Sequence, residues 1–217
     1  MLPLVPALPT SRGLELLCIG AHSDDLEIGC AGTILRFRQE FSIDHVTWVV
    51  LSGDPDRARE ARAAARRVIG RQVSATIVQA EFRDGFFPYI GFEIKEFFEA
   101  LKKDVNPDVI FTHHLNDRHQ DHRLVSELTY NTFRNHFVLE YEIFKVDGDL
   151  GNPNVYIPLD RATVDRKVRL IMETFATQRD RRWFTEDTFR ALVRLRGAES
   201  GAASGFAEAF YSRKLVI

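Results

Sequence analysis

The sequence predicts an α/β protein, a Rossmann-like, doubly wound and mostly parallel sheet flanked by helices. Three observations carry that prediction. Short apolar runs of strand length alternate with longer stretches of helical spacing along much of the chain. Turn formers such as Gly70 and Asn106-Pro107-Asp108 fall between them. Two of the strand candidates, residues 14–19 and 109–112, run straight into clusters of histidine and aspartate, the arrangement of open α/β sheets whose ligands collect at the carboxyl ends of strands.

The first strand candidate holds Leu14, Leu16, Leu17, Cys18 and Ile19, a run suited to burial on both faces of a parallel sheet. Gly20 and Ala21 leave room at its end, and His22-Ser23-Asp24-Asp25 follow. Leu26, Ile28, Ala31, Ile34 and Leu35 then share one helical face, with Glu27 in the favourable first turn. Residues 45–51 (HVTWVVL) read as a second strand, and Ser52-Gly53-Asp54-Pro55 as a turn that caps the next helix over 57–70. A third strand is expected over 75–80, a loop over 82–89 and a helix over about 92–103. The fourth strand (VIFT) enters His113 to His122. Further on, strands are expected over 139–146 and 155–159 around a Gly/Asn/Pro loop, and a helix over 161–177. No internal repeat or domain boundary interrupts the chain, so residues 1–217 read as one domain with an extended arm over 1–12.

Composition narrows the function classes. A chain of 217 residues with 45% hydrophobic content can bury a substantial core. The net charge of −2 and pI near 6.4 give no general attraction to nucleic acid or anionic membrane, and point to a small-molecule ligand. Cys18 and Cys30 have neither metal-ligand spacing nor a disulfide framework, and read as buried thiols of a reducing, cytoplasmic compartment. The opening MLPLVPALPTSR is interrupted by prolines and too short to span a membrane.

An imidazole and two carboxylates gathered on one tight turn need a cation or a proton to offset their repulsion. Parallel strands bring the second cluster, His119-Gln120-Asp121-His122, to the same rim as the first. His22, Asp25 and His122 together supply two imidazoles and a carboxylate, leaving a fourth position for water as in a catalytic zinc site. Asp24 and His119 then remain as acid/base candidates.

AHSDDLEIGCAGTI resembles the AHPDD signature of the PIG-L or LmbE-like N-acetyl-sugar deacetylases, and HQDH resembles their second, HPDH-type motif. Weaker matches, Arg57-x-x-Glu60, Asp84-Gly85, Arg196-Gly197 and Phe206 to Phe210, fall in the same order. The resemblance implies that His22, Asp25 and His122 bind Zn2+, or Fe2+, Co2+ or Mn2+ in its place. It implies Asp24 as general base, His119 as general acid or oxyanion partner, Asp121 as the group orienting His119, and Arg57 and Asp84 as contacts to sugar hydroxyls. The implied reaction is hydrolysis of the N-acetyl group of an N-acetylglucosamine-type sugar or glycoconjugate. Ser23 and Gln120 stand where the family usually has proline, between functional residues.

Blander readings stand beside these. Asp24-Asp25 can cap a helix, Glu27 can be a first-turn acid or the partner of a ligand histidine, and Arg57 can be a solvated helix residue, with Arg59 able to take its place. His113, His114 and Asp117 read as lining or turn residues. The phenylalanines of 82–98 read mostly as core, with loop members free to stack on a sugar or form a homo-oligomer contact. A nucleotide-binding fold is excluded because Gly29 and Gly32 fall inside the helix, after the turn that would approach a phosphate. The remaining rivals are a non-catalytic metal- or sugar-binding relative and an amidohydrolase of a non-sugar amide.

Overall fold

A computed structural model describes residues 11–215. Most of the arm expected over 1–12 lies outside the described residues. Seven strands form one sheet in the order β3-β2-β1-β4-β5-β7-β6, with β1 Leu14–Gly20, β2 Ile43–Ser52, β3 Ser74–Phe82, β4 Val109–His113, β5 Phe137–Tyr141, β6 Val155–Pro158 and β7 Ala207–Tyr211. Strands β1 to β5 are parallel to one another, whereas β7 runs antiparallel to both β5 and β6. The mostly parallel α/β class is therefore the observed one. Chain direction across the sheet reverses between β1 and β4, the switch point at which such folds open a crevice.

Alternation along β1 explains why the sheet is covered on both sides. Leu14, Leu16 and Cys18 join the core under helices α1 Asp25–Glu40, α2 Pro55–Ile69, α5 Arg161–Thr174 and α6 Glu186–Ser200, while Leu17 and Ile19 join the core under α3 Gly91–Asp104 and α4 Gln120–Thr132. The two helical glycines of α1 permit close packing: a Cβ at Gly29 would overlap the Tyr141 ring, and one at Gly32 would overlap Leu159. Helix α2 starts where its signal lies, with the Asp54 carboxylate accepting from the amides of Asp56 and Arg57 and Pro55 in the first turn.

The final third departs from expectation. The strand expected over 139–146 ends at Tyr141, because the Glu142 carboxylate is buried against the Arg196 guanidinium (2.7 and 2.8 Å) and takes the chain out of the ladder. The helix expected to reach 177 stops at Thr174, and a 3-10 turn, Ala176–Gln178, follows. Helix α6 and strand β7 were not expected as elements. Helix α6 is capped by Thr185 and by Gly201 in the left-handed conformation.

Candidate active site and metal centre

The turn after β1 is pinned from the neighbouring strand. The Ser52 amide and hydroxyl both donate to the Ala21 carbonyl (2.9 and 2.8 Å), and the Ala21 amide donates to Nε2 of His113 at the end of β4 (2.9 Å). His22 and Asp24 stand in this turn, Asp25 opens α1, and the His22 amide donates to Asp25 Oδ2 (2.6 Å). Across the crevice, residues 114–119 lead from β4 into α4, which starts at Gln120 and so brings Asp121 and His122 to the same rim.

Three of the expected residues converge. His22 Nδ1 lies 3.1 Å from His122 Nε2 and 3.3 Å from Asp25 Oδ2, and His122 Nε2 lies 3.5 Å from Asp25 Oδ1. A tetrahedral ion with bonds of about 2.0–2.1 Å separates its donor atoms by roughly 3.3–3.4 Å; the His22 and His122 nitrogens stand near that spacing, Asp25 meets the two rings through different oxygens, and the donor types are those a divalent cation takes. His119 joins His22 and His122 in one group of donors within 4.8 Å of one another; a second group joins His22, Asp84, His119 and Asp121, and a third joins Asp25, His113 and His122.

The electrostatics also call for a cation. Burial works against charge on His22, yet Asp25, Asp121 and Asp84 around it raise its pKa well above the ordinary value, so without a metal the imidazolium itself supplies the positive charge. Burial would raise Asp25, but His122, His113 and His22 hold it well below the carboxylate range. Burial and then His113 push the His122 ring down to about 3, leaving it in the neutral form that a cation binds. Asp24 behaves oppositely to its neighbour: burial and the Asp25 charge push it up to about 6.

The supporting residues were only partly foreseen. Asp117, read as a turn residue, is buried and accepts from His122 Nδ1 (2.9 Å), from the His119 amide (2.7 Å) and from Lys145 Nζ (2.9 Å). It therefore fixes the ring of one donor and the start of α4 together. His113 is fully buried, stacks on His122 with centroids 3.9 Å apart, and reaches Asp25 Oδ2 at 3.1 Å. His114 turns away to Glu140 (2.7 Å) and stacks on Tyr211.

The Asp121 carboxylate does not bond the His119 ring. It instead accepts from the amides of Gly85 (2.7 Å) and Phe87 (3.1 Å) and lies 3.3 Å from His22 Nε2, because the 83–87 loop folds down over α4. The Asp121 backbone amide donates to His119 Nδ1 at 3.3 Å. Burial, followed by the nearby His22, lowers the His119 pKa against the raising pull of Asp25, Asp121 and Asp117. Asp84 and Arg57 are both at the rim, paired at 3.2 Å, and Asp84 Oδ1 lies 3.1 Å from His22 Nε2, whose hydrogen bond holds the Asp84 carboxyl down at about 2. Glu27 is fully buried and neither of its oxygens has a hydrogen-bond partner, so it is not the partner of a donor histidine; burial raises its pKa well above the ordinary value and favours the neutral acid. Arg59 is exposed and pairs with Asp56 (2.8 Å), away from the centre.

His22, Asp24, Asp25, Arg57, His119 and His122 line a cavity of about 250 Å3, together with Ile143, Lys145, Gln178 and Trp183. Of the aromatic residues expected near it, Phe87 and Phe98 are core, whereas Phe86, Tyr89 and Phe92 are exposed.

A protein described as an uncharacterized deacetylase, YaiS of Escherichia coli (strain K12), is 30% identical over 120 residues, and the match covers 51% of this chain and 63% of that relative. Among solved structures, the N,N'-diacetylchitobiose deacetylase of Pyrococcus horikoshii, complexed with its inhibitor MPG, superposes with a TM-score of 0.69 at 19% identity, covering 94% of this chain and 85% of that one. GalB, the 4-carboxy-2-hydroxymuconate hydratase of Pseudomonas putida KT2440, gives 0.68 at 18% identity, covering 94% and 98%. At these identities the two structures share the fold. The family model described as PIG-L, GlcNAc-PI de-N-acetylase, matches residues 17–133, more than half of the chain and both histidine–aspartate motifs, and the chain belongs to that family.

Proposed function

We propose that this chain is a metal-dependent N-deacetylase that hydrolyses the acetamide of an N-acetylglucosamine-type sugar or glycoconjugate, with Zn2+ as the resident ion. The observation that carries the reading is the convergence of His22 Nδ1, His122 Nε2 and the Asp25 carboxylate within 3.1–3.5 Å, with the Asp24 carboxyl, raised to about 6, one residue away. A divalent ion held by His22, Asp25 and His122 would polarise the acyl carbonyl and make water acidic enough to attack near neutral pH.

The remaining steps belong to the chain. Ionised Asp24 accepts a proton from the attacking water as its oxygen bonds to the acyl carbon, and a carboxyl near 6 is matched to that task at neutral pH. His119 acts on the developing oxyanion as a neutral donor. Its Nδ1 accepts from the Asp121 amide, which leaves Nε2 to carry the ring proton. Burial and the nearby His22 lower the His119 pKa, which favours the neutral ring over the imidazolium. Return of the Asp24 proton to the nitrogen breaks the C–N bond and releases acetate and the free amine.

The cavity of about 250 Å3 lies below the roughly 300–1,000 Å3 of pockets that enclose drug-sized ligands, so it takes the acetamide end while the rest of a glycoconjugate extends past Val146 and Arg181. Two buried free thiols agree with a cytoplasmic setting, and no helix among the described residues is long and apolar enough to cross a membrane. The testing experiment measures acetate released from a panel of N-acetylglucosamine derivatives and from non-sugar acetamides, beside the metal content of the purified protein. Acetate release from sugars at stoichiometric metal supports the reading. A metal-free protein, or turnover of non-sugar amides alone, replaces it.

A further inference from the structure

Far from this cavity, α2 and α5 pack side by side next to β3, the edge strand of the sheet. Between them lies a groove of about 1260 Å3, lined by Arg62, Arg66, Arg67, Arg71, Arg166 and Arg169. It shares no lining residue with the histidine–aspartate cavity and sits by the start of β3, away from the strand ends that carry the site.

We propose that this groove binds a soluble oligophosphate, a small molecule bearing several phosphate groups. The chain carries a net charge of −2, so six guanidinium groups around one groove are a local segregation of charge. The acidic lining residue, Asp165, is already engaged by Arg190 at 2.5 Å. Arg67 has a carboxylate partner, Glu173 at 2.5 Å; the other five have none within 4.0 Å among the described residues.

Arg62 and Arg66 are four apart on α2, and Arg166 and Arg169 three apart on α5, so each wall presents a pair on one face. Like charges at these spacings disfavour a helix unless an anion answers them. The field is felt behind the groove as well: burial and then the Arg166 charge lower the pKa of Arg38, which donates to the Val68 carbonyl.

Guanidinium forks suit phosphate oxygens because two parallel N–H bonds fit one phosphate. The arginines come from both α2 and α5 around a concave groove, which suits a soluble ligand entering it better than a flat bilayer at its rim. The apolar lining is Ile69, Val73, Ala75, Ile77, Ala162 and Leu170, without an aromatic platform on which the bases of a single-stranded nucleic acid could stack.

The test is calorimetric titration of the intact protein with tripolyphosphate at about 50 mM and about 300 mM salt, since screening weakens such contacts. The comparison variants are Arg66→Glu/Arg166→Glu, one change per wall, the milder Arg66→Gln/Arg166→Gln should the first not fold, and Lys103→Glu, exposed on α3, as a control elsewhere. We expect one saturable site per chain, weaker at high salt and weakened at least roughly tenfold in either double variant but not in the control, consistent with charge-assisted bonds from both walls. Metal content and acetate release should match the parent protein. Any of four results overturns the proposal: no saturable heat at low salt; equal weakening by the control; binding to phosphatidylglycerol vesicles or single-stranded RNA without binding of tripolyphosphate; or a homo-oligomer that the charge reversal dissociates, which would make the groove a subunit contact.

Discussion

Asp24 and Asp25 are adjacent, yet one is pushed up to about 6 and the other held well below the carboxylate range. The difference is positional: Asp25 faces three imidazoles, while burial and the charge of Asp25 dominate at Asp24. Asp24→Asn should therefore keep the metal and lose at least ~100-fold in turnover, the low end for a general base; loss of metal with activity would reverse the two roles. Because the Asp24 carboxyl is raised, its ionised form is lost as pH falls through about 6, so kcat should fall on the acid side there, and a bound cation would draw this limb lower. The pH profile of Asp24→Asn should lack the limb. Asp117 offers a separate check: Asp117→Ala frees the His122 ring and should weaken metal affinity ~10–100-fold, read by competition with a chelator. The convergence of His22, Asp25 and His122 on one rim was legible because parallel strands bring their carboxyl ends together. Asp117 was not, since its only signal is a loop aspartate five residues before a histidine, a spacing without meaning until the loop closes.

At the scale of elements, the 83–87 loop is held by the first turn of α4. Gln120 Nε2 donates to the Gly85 carbonyl while the Asp121 carboxylate accepts from the Gly85 and Phe87 amides. Gly85 sits at φ 79, a conformation that suits glycine, and Asp84 beside it is thereby delivered to His22 and Arg57. The glutamine at a position where the family usually has proline thus adds a grip on this loop. Asp121→Ala leaves the buried Phe87 amide and the part-buried Gly85 amide without acceptors and should cost about 1–3 kcal/mol of stability in urea unfolding. Gln120→Ala should spare stability more and raise KM, by loosening the loop that carries Asp84. If Gln120→Ala leaves KM for every sugar substrate unchanged, the loop does not set recognition. Strands β1, β2 and β4 and helices α1 and α2 were readable because apolar runs and caps agree along them. Helix α6 was not, because it buries Arg196 and exposes Leu195, which inverts the pattern that marks a helical face.

Across the whole molecule, the antiparallel β7 is tied back to the helix that carries Asp25. Glu208 of β7 accepts from the amides of Gly32 (2.9 Å) and Thr33 (2.6 Å) inside α1 and pairs with Lys167 of α5 at 2.5 Å, while Lys167 also donates to the Ile28 carbonyl (2.6 Å). Both side chains are 3% exposed, so neither charge has water to fall back on. An apolar run ending in β7 disguised this: Glu208 reads as one acid among AEAF until α1, α5 and β7 meet. Removing one partner strands the other in a low-dielectric interior, and Glu208→Gln should destabilise the protein by about 3–5 kcal/mol, with Lys167→Met comparable. Replacing both should cost less than the sum of the two, because no charge is then left buried alone. Chemical denaturation of the four proteins at fixed pH and matched metal occupancy measures that coupling. At a temperature where the variants remain folded, acetate release per bound metal should stay near the parent value, since neither residue lines the site cavity. Additive losses would show that the backbone amides of α1, and not Lys167, are what balance Glu208.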